Sequence, residues 1–252
     1  MNLLLDFDGT IVDTDPHIRA ALIEFCAIHK FPAPSEDALR GISGLDPLTL
    51  LPPELLTKRG HAYFTMEFWN LYRRRTSPAS LSLVPGIEQI MGAAVAGGFK
   101  TAVITNKEGD IARKELAYLA GQHRLPHHLC VGFGDIPGAE RKPAPTMLLH
   151  GMRTLGMSPH NTVFIGDTEP DVLAARAAKI PVVLYRPRAN HAHIKHPPKW
   201  VELATYVVEH MDQARAIVGR MSRTPTFSRR EPRPQPARTF VADATPDLVL
   251  SD

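Results

Sequence analysis

At 252 residues, 44% hydrophobic and 22% charged, the chain has the make-up of an ordinary globular protein able to bury a core. The formal charge of +3 is small, and no apolar run reaches the roughly 18 residues that a membrane span requires. Cys26 and Cys130 lie far apart with no CxxC or His/Cys spacing, which argues against a disulfide framework or a zinc site.

The opening MNLLLDFDGT meets an acidic residue after three leucines and lacks a basic leader, so it is no signal peptide. Together with the cysteine usage, this points to a cytoplasmic protein in a reducing compartment. Residues 2–5 form a short apolar run ending in Asp6, the pattern of a buried strand that delivers carboxylates at its C-terminal end. From Pro16 to about Ser82 apolar residues recur at helical spacing, in IRAALIEFCAIHK and ELLTKRGHAYFTMEFWNLYRRR. Prolines at 32, 34, 47, 52 and 53 separate the pieces, and no strand is evident, so the stretch reads as a helical insert.

From Val84 the pattern alternates. Helices are expected over 86–96, 109–121, 145–155 and 169–179, and strands over 100–105, 129–133, 162–166 and 181–185. Strands alternating with helices through short connections imply right-handed crossovers and a parallel sheet. One more helix is expected within 200–219. Beyond Met221 the segment TPTFSRREPRPQPARTF has few large apolar residues, and its ordering entropy would go uncompensated, so disorder is expected. The basic residues crowd there, Arg220, Arg223, Arg229, Arg230, Arg233 and Arg238, and read as a solvated tail.

The expected fold class is α/β, a Rossmann-like parallel sheet core with an inserted α-helical cap domain. Residues 1–13 and 84–200 form the core, 14–83 the cap, 201–219 a C-terminal helix and 220–252 the tail. Ligands of open parallel sheets bind beyond the carboxyl ends of the strands. Three expected strand ends carry polar signatures: Asp6-Phe-Asp8, Thr105-Asn106 and Gly166-Asp167.

Asp6 and Asp8 are two apart and project to one side of an extended segment. Gly9 permits a tight turn beside them, and Asp167 and Asp171 share one face of a helix start. Carboxylates brought together without a cation would be forced to protonate. A hard divalent ion, Mg²⁺, relieves this and pairs naturally with a phosphorylated substrate. Lys142 in RKPAP can neutralise a carboxylate nucleophile and a phosphate, and Thr105 with the backbone after it can cradle phosphate oxygens.

Four motifs, DFDGTIVDT, TAVITN, KPAP and FIGDTEPDVLAARAA, occur in one order. In this the chain resembles the haloacid dehalogenase superfamily on its phosphatase side, in the phosphoglycolate-phosphatase-like branch, over about residues 1–185. The resemblance implies a Mg²⁺-dependent phosphomonoester hydrolase acting through an aspartyl-phosphate. Asp6 would be the nucleophile and Asp8 the general acid/base, with Thr105 and Lys142 completing the catalytic set. Gly9, Thr105, Asn106 and Lys142 would bind the phosphate, and Asp6, Asp8 (through its main-chain carbonyl), Asp167 and Asp171 would serve the metal. A sugar-phosphate mutase of the same superfamily is the alternative, and a non-catalytic protein working through its basic tail a more distant one.

The expected partner is a small-molecule phosphate ester, met by a monomer or homodimer. No membrane is implied, and only the basic tail speaks for nucleic acid. The helix of the fourth motif departs from the family in ending on Lys179 where a glycine is usual, which would alter the turn without touching the metal site. Simpler readings fit less well. An EF-hand starting at Asp6 would need glycine and glutamate where Ile11 and His17 stand. His191, His193 and His196, with proline neighbours and no cysteine, suit a solvated loop better than a zinc site. Met66, Phe68, Trp69 and Tyr72, at helical spacing, read as cap core, although any that face the site could contact substrate.

Overall fold

The structure is a computed structural model that describes residues 1–39, 46–57, 60–187, 197–223 and 238–239. The expected loop of His191, His193 and His196 lies outside these residues, as does most of the expected tail.

The chain opens with β1 (Asn2–Leu5) and β2 (Val12–Asp13), then enters helices α1 (Asp15–His29), α2 (Glu36–Leu39), α3 (Pro53–Leu56) and α4 (His61–Arg75). It returns through β3 (Ser82–Leu83) and alternates: α5 (Ile87–Ala96), β4 (Thr101–Glu108), α6 (Gly109–Gln122), β5 (Leu129–Phe133), α7 (Thr146–Leu155), β6 (Thr162–Gly166), α8 (Glu169–Ala177), β7 (Val182–Tyr185). It finishes with β8 (Tyr206–Val208), α9 (Met211–Arg223) and the two-residue β9 (Arg238–Thr239). The main sheet runs β5-β4-β1-β6-β7-β8-β9 with every pair parallel. Its order reverses at β1, whose neighbours β4 and β6 start the two outward-growing halves. Such a switch point opens a crevice at the strand's carboxyl end, and Asp6 is the next residue.

The strands are continuous apolar runs because helices cover both faces of the sheet. Side chains alternate: Leu3, Leu5, Val103 and Val163 join the cluster that includes α5 and α9 residues, while Leu4, Ala102, Ile104 and Phe164 join that of α7 and α8. All of these are fully buried, each large one contributing roughly 1.5–3 kcal/mol. A third cluster, with Ile18, Leu22, Phe25, Phe64 and Phe68, belongs to the helical insert. Its aromatic rings meet edge-on, Phe25 and Phe64 at 6.0 Å.

Several elements differ from the sequence expectation. β4 continues to Glu108 past a register shift, because Lys107 is buried and its charge matched inside. The insert is not wholly helical at its end, since β3 pairs antiparallel with β2, Val12 with Leu83 and Asp13 with Ser82. Where one helix was expected over 200–219, Tyr206–Val208 pairs with β7 as a strand and the helix follows, running through Arg220 to Arg223. The short apolar run Tyr-Val-Val joins the sheet edge and only then does the amphipathic repeat begin. Arg238–Thr239, inside the expected disordered tail, pairs with β8. The turn after α8 keeps its shape despite Lys179, which adopts φ 58°. Lys179 and Ile180 donate their N–H groups to the carbonyls of Arg176 and Ala175, closing the helix as a glycine would allow.

No described helix is long and apolar enough to cross a membrane.

Candidate active site

The loop after β1 carries Asp6 and Asp8, both buried. Gly9 follows at φ 79°, and a Cβ there would lie 2.1 Å from Asp167 Oδ2, so only glycine fits. Its N–H donates to the Val12 carbonyl at 2.7 Å, and the residue allows the close approach of Asp167. Thr10 Oγ1 donates to Asp167 Oδ1 at 2.9 Å, tying the two loops together.

Lys142 reaches in from the loop before α7 with a side chain only 2% exposed. Its Nζ donates to Asp6 Oδ1 and Asp171 Oδ1, both at 2.6 Å, and to the Ile104 carbonyl at 3.1 Å, which uses all three of its hydrogens. Asp171, fully buried at the third position of α8, accepts with Oδ2 from the N–H groups of Asp167 (3.2 Å) and Thr168 (3.0 Å) and from Thr168 Oγ1 (2.6 Å). One oxygen of each of Asp6, Asp167 and Asp171 lies within 4.8 Å of the others.

The Asn106 amide is committed to the Lys142 main chain, donating to its carbonyl at 3.1 Å and accepting its N–H at 2.7 Å. Its side chain therefore positions Lys142. Thr105, buried at the bend of β4, accepts the Lys107 N–H on Oγ1 at 3.1 Å.

Electrostatics follow from this crowding. Burial, reinforced by Asp171, pushes the Asp6 carboxyl up to about 7 despite the opposing Lys142. Burial and the charges of Asp171 and Asp6 likewise raise Asp167, with Thr10 opposing. For Lys142 burial works against the charge, but Asp171 and Asp6 outweigh it and hold the ammonium firmly protonated. Two buried carboxylates, Asp6 and Asp171, thus share one lysine beside the half-buried Asp167, and the surplus negative charge fits a divalent cation.

A family model described as haloacid dehalogenase-like hydrolase matches residues 3–185. The chain belongs to this family. The plasmid-borne phosphoglycolate phosphatase of Cupriavidus necator is 32% identical to it over 188 residues, 73% of this chain and 80% of that protein. The phosphoglycolate phosphatase of Xanthomonas campestris pv. campestris is 28% identical over 183 residues, covering 72% and 80%. Among solved structures, a candidate phosphatase from Clostridium acetobutylicum has a TM-score of 0.68 at 18% identity, covering 87% of this chain and 98% of that one. A candidate β-phosphoglucomutase from Thermotoga maritima has a TM-score of 0.61 at 20% identity, covering 88% and 99%. At such identities these two structures establish the fold. Family and curated relatives together make the chain a haloacid dehalogenase-type phosphatase.

In this haloacid dehalogenase-type enzyme Asp6, Asp8, Thr105, Asn106 and Lys142 line one cavity of about 260 Å³, roofed by Trp69 and Tyr72 of α4. Asp167 and Asp171 are not on its wall; Asp171 is fully buried and reaches the wall through Lys142. Of the aromatic stripe, Phe68 is cap core, Met66 is exposed, and Trp69 and Tyr72 face the cavity.

Sequence reasoning missed Lys107, Glu115 and Arg141. Lys107 is as buried as Lys142, with Nζ 2.7 Å from Asp8 Oδ1 and 2.6 Å from Glu115 Oε2. The contact to Asp8 is an ion pair whose angle falls short of a hydrogen bond. The same ammonium sits 4.9 Å from the Phe7 ring centre and 5.3 Å from that of Tyr72. Burial opposes its charge, but Asp8, Tyr72 and Glu115 outweigh that and keep it protonated. The available signal was Glu115, an acid eight residues on at an inward position of α6.

Proposed function

We propose that the enzyme hydrolyses a small phosphate monoester through a covalent phosphoryl-aspartate on Asp6. One observation carries this reading: Lys142, on the wall of a small cavity, bridges Asp6 and Asp171 beside Asp167. Asp6 and Asp167 would hold Mg²⁺ with the Asp8 main-chain carbonyl, while Asp171, its Oδ2 already taken by three donors, orients Lys142 and the Asp167 loop. The cation, when bound, supplies charge neutralisation for a phosphoryl group approaching an anionic nucleophile.

The Asp6 carboxylate attacks phosphorus and the bond to the ester oxygen breaks, with Asp8 giving its proton to the departing alkoxide. Water then attacks phosphorus, surrenders a proton to Asp8, and the Asp6–phosphorus bond breaks to release phosphate. Lys142 fixes the attacking Asp6 oxygen and offsets its charge, and Thr105 borders the phosphate position. The free cysteines, Cys26 and Cys130, suit a reducing, cytoplasmic setting.

The test is phosphate release from an aryl phosphate with Mg²⁺, comparing wild type with Asp6→Asn. Release that depends on Mg²⁺ and disappears in the variant is expected; turnover surviving in Asp6→Asn would refute the nucleophile. Phosphate moving between positions of one sugar without net release would establish a mutase instead.

A further inference from the structure

Four acids line the cavity, three of them paired with a cation and the fourth with a histidine. Asp6 pairs with Lys142 at 2.6 Å, Asp8 with Lys107 at 2.7 Å, Glu108 with Arg73 at 2.7 Å, and Asp46 lies 3.2 Å from His61 Nε2. The two cavity lysines are doubly committed, Lys142 also to Asp171 and Lys107 also to Glu115. Arg141 is the remaining cation of the cavity wall, and it has no carboxylate within 4.0 Å among the described residues. Asp46 and Glu108 are close enough to favour its charge but are engaged elsewhere.

Arg141 is nevertheless held in place. Its guanidinium carbon stacks 3.7 Å over the Phe133 ring centre, and its Nε donates to the Asn106 carbonyl at 3.3 Å. The Nη groups have no hydrogen-bond partner among the described residues. An exposed planar cation on the cavity wall, fixed by stacking and by one edge, is prepared for a planar anion. It stands one residue before Lys142, so adjacent residues present a committed ammonium at the floor and an uncommitted guanidinium on the wall.

We propose that Arg141 determines specificity by binding a carboxylate carried on the same small molecule as the phosphate. The proposal rests on the phosphomonoester reading of the cavity. A space of about 260 Å³ restricts the spacer between the two anions to a few carbons. A phosphorylated short hydroxy acid satisfies both cations, whereas an ester with a neutral tail gives the guanidinium no anion to pair with.

The experiment compares 2-phosphoglycolate with ethyl phosphate, in the presence of Mg²⁺, for wild type, Arg141→Gln and Arg141→Glu. The ratio of kcat/KM for the two esters is expected to fall about 100-fold in Arg141→Gln, mainly through KM for 2-phosphoglycolate. In Arg141→Glu the preference should turn towards phosphoethanolamine, whose tail is cationic. A ratio that changes less than about tenfold in Arg141→Gln overturns the proposal. Calorimetric binding of the same two esters to Asp6→Asn protein, with and without Arg141→Gln, makes the outcome independent of turnover. Loss of preference there supports the Arg141 role even if the covalent route fails, and an unchanged preference sinks it even if the route holds.

Discussion

The site contains two buried lysines, each between two carboxylates. Lys142 joins Asp6 to Asp171, and Lys107 joins Asp8 to Glu115, with all four contacts between 2.6 and 2.7 Å. They differ in balance and in surroundings. Around Lys142 a third acid, Asp167, adds uncompensated charge, and the amide of Asn106 clamps the lysine's main chain. Around Lys107 two acids stand among the described residues, with the rings of Phe7 and Tyr72 beside them. One cluster thus holds more acids than its lysine balances, and the other holds a single lysine between two acids and two rings. A lysine in the first should act on phosphoryl transfer itself, and one in the second on how Asp8 is presented.

Substituting the lysines tests that contrast most severely. Lys142→Met should lower kcat by about 10³ on any ester, since it removes charge stabilisation from the nucleophile's own oxygen. Lys107→Met should cost about 10–100-fold on ethyl phosphate and distinctly less on an aryl phosphate, whose departing oxygen needs little proton delivery. Equal losses on both esters for both variants would erase the distinction. Each change should also destabilise the fold by roughly 3–5 kcal/mol, because it strands buried carboxylates, as urea unfolding would record. Pairing Lys107→Met with Glu115→Gln should recover part of that.

A smaller effect concerns the surplus charge at Asp6. Its carboxyl titrates near 7 in the fold against an ordinary value of 3.8. Between those pH values the folded protein holds the proton and the unfolded chain does not. Its contribution is therefore favourable at low pH and is lost as pH rises through about 7. In EDTA the melting temperature should fall from pH 5 to pH 8 by roughly 5 °C more in wild type than in Asp6→Asn, and Mg²⁺ should remove that difference at pH 8. An identical slope in the two proteins would show that the cluster carries no excess charge.

The smallest effect lies away from both lysines. Lys179 occupies a left-handed backbone conformation, at φ 58°, that costs a residue with a Cβ about 1 kcal/mol. Lys179→Gly should raise the melting temperature by roughly 2–4 °C with kinetics unchanged, and calorimetry would show it.

The same contrast explains what could be read from the sequence. The strands at 2–5, 129–133 and 162–166 were legible because a sheet covered on both sides imposes unbroken apolar runs. The Lys142 cluster was legible because its members sit in recognisable motifs, at the ends of β1 and β6, in the loop before α7 and at the start of α8. Lys107 was not, since a lysine in TNKE ordinarily marks the surface, and only the third dimension supplies Asp8, Glu115 and two rings around it. Tyr206–Val208 was hidden for the opposite reason, three apolar residues being too few to interrupt a helical pattern. Sequence position also does not reveal that the Asn106 side-chain amide and the Gly9 N–H are engaged within the protein.

The ribbon of β2 and β3 carries a consequence for how such an enzyme diversifies. The chain leaves for its helices at Val12–Asp13 and comes back at Ser82–Leu83, neighbours across one antiparallel pair. Everything strung between those residues enters and exits through a single seam, so another helical bundle could be spliced there without re-threading β1 beside β4. The cavity wall formed by Trp69 and Tyr72 could then be exchanged while the sheet that carries Asp6 stays as it is.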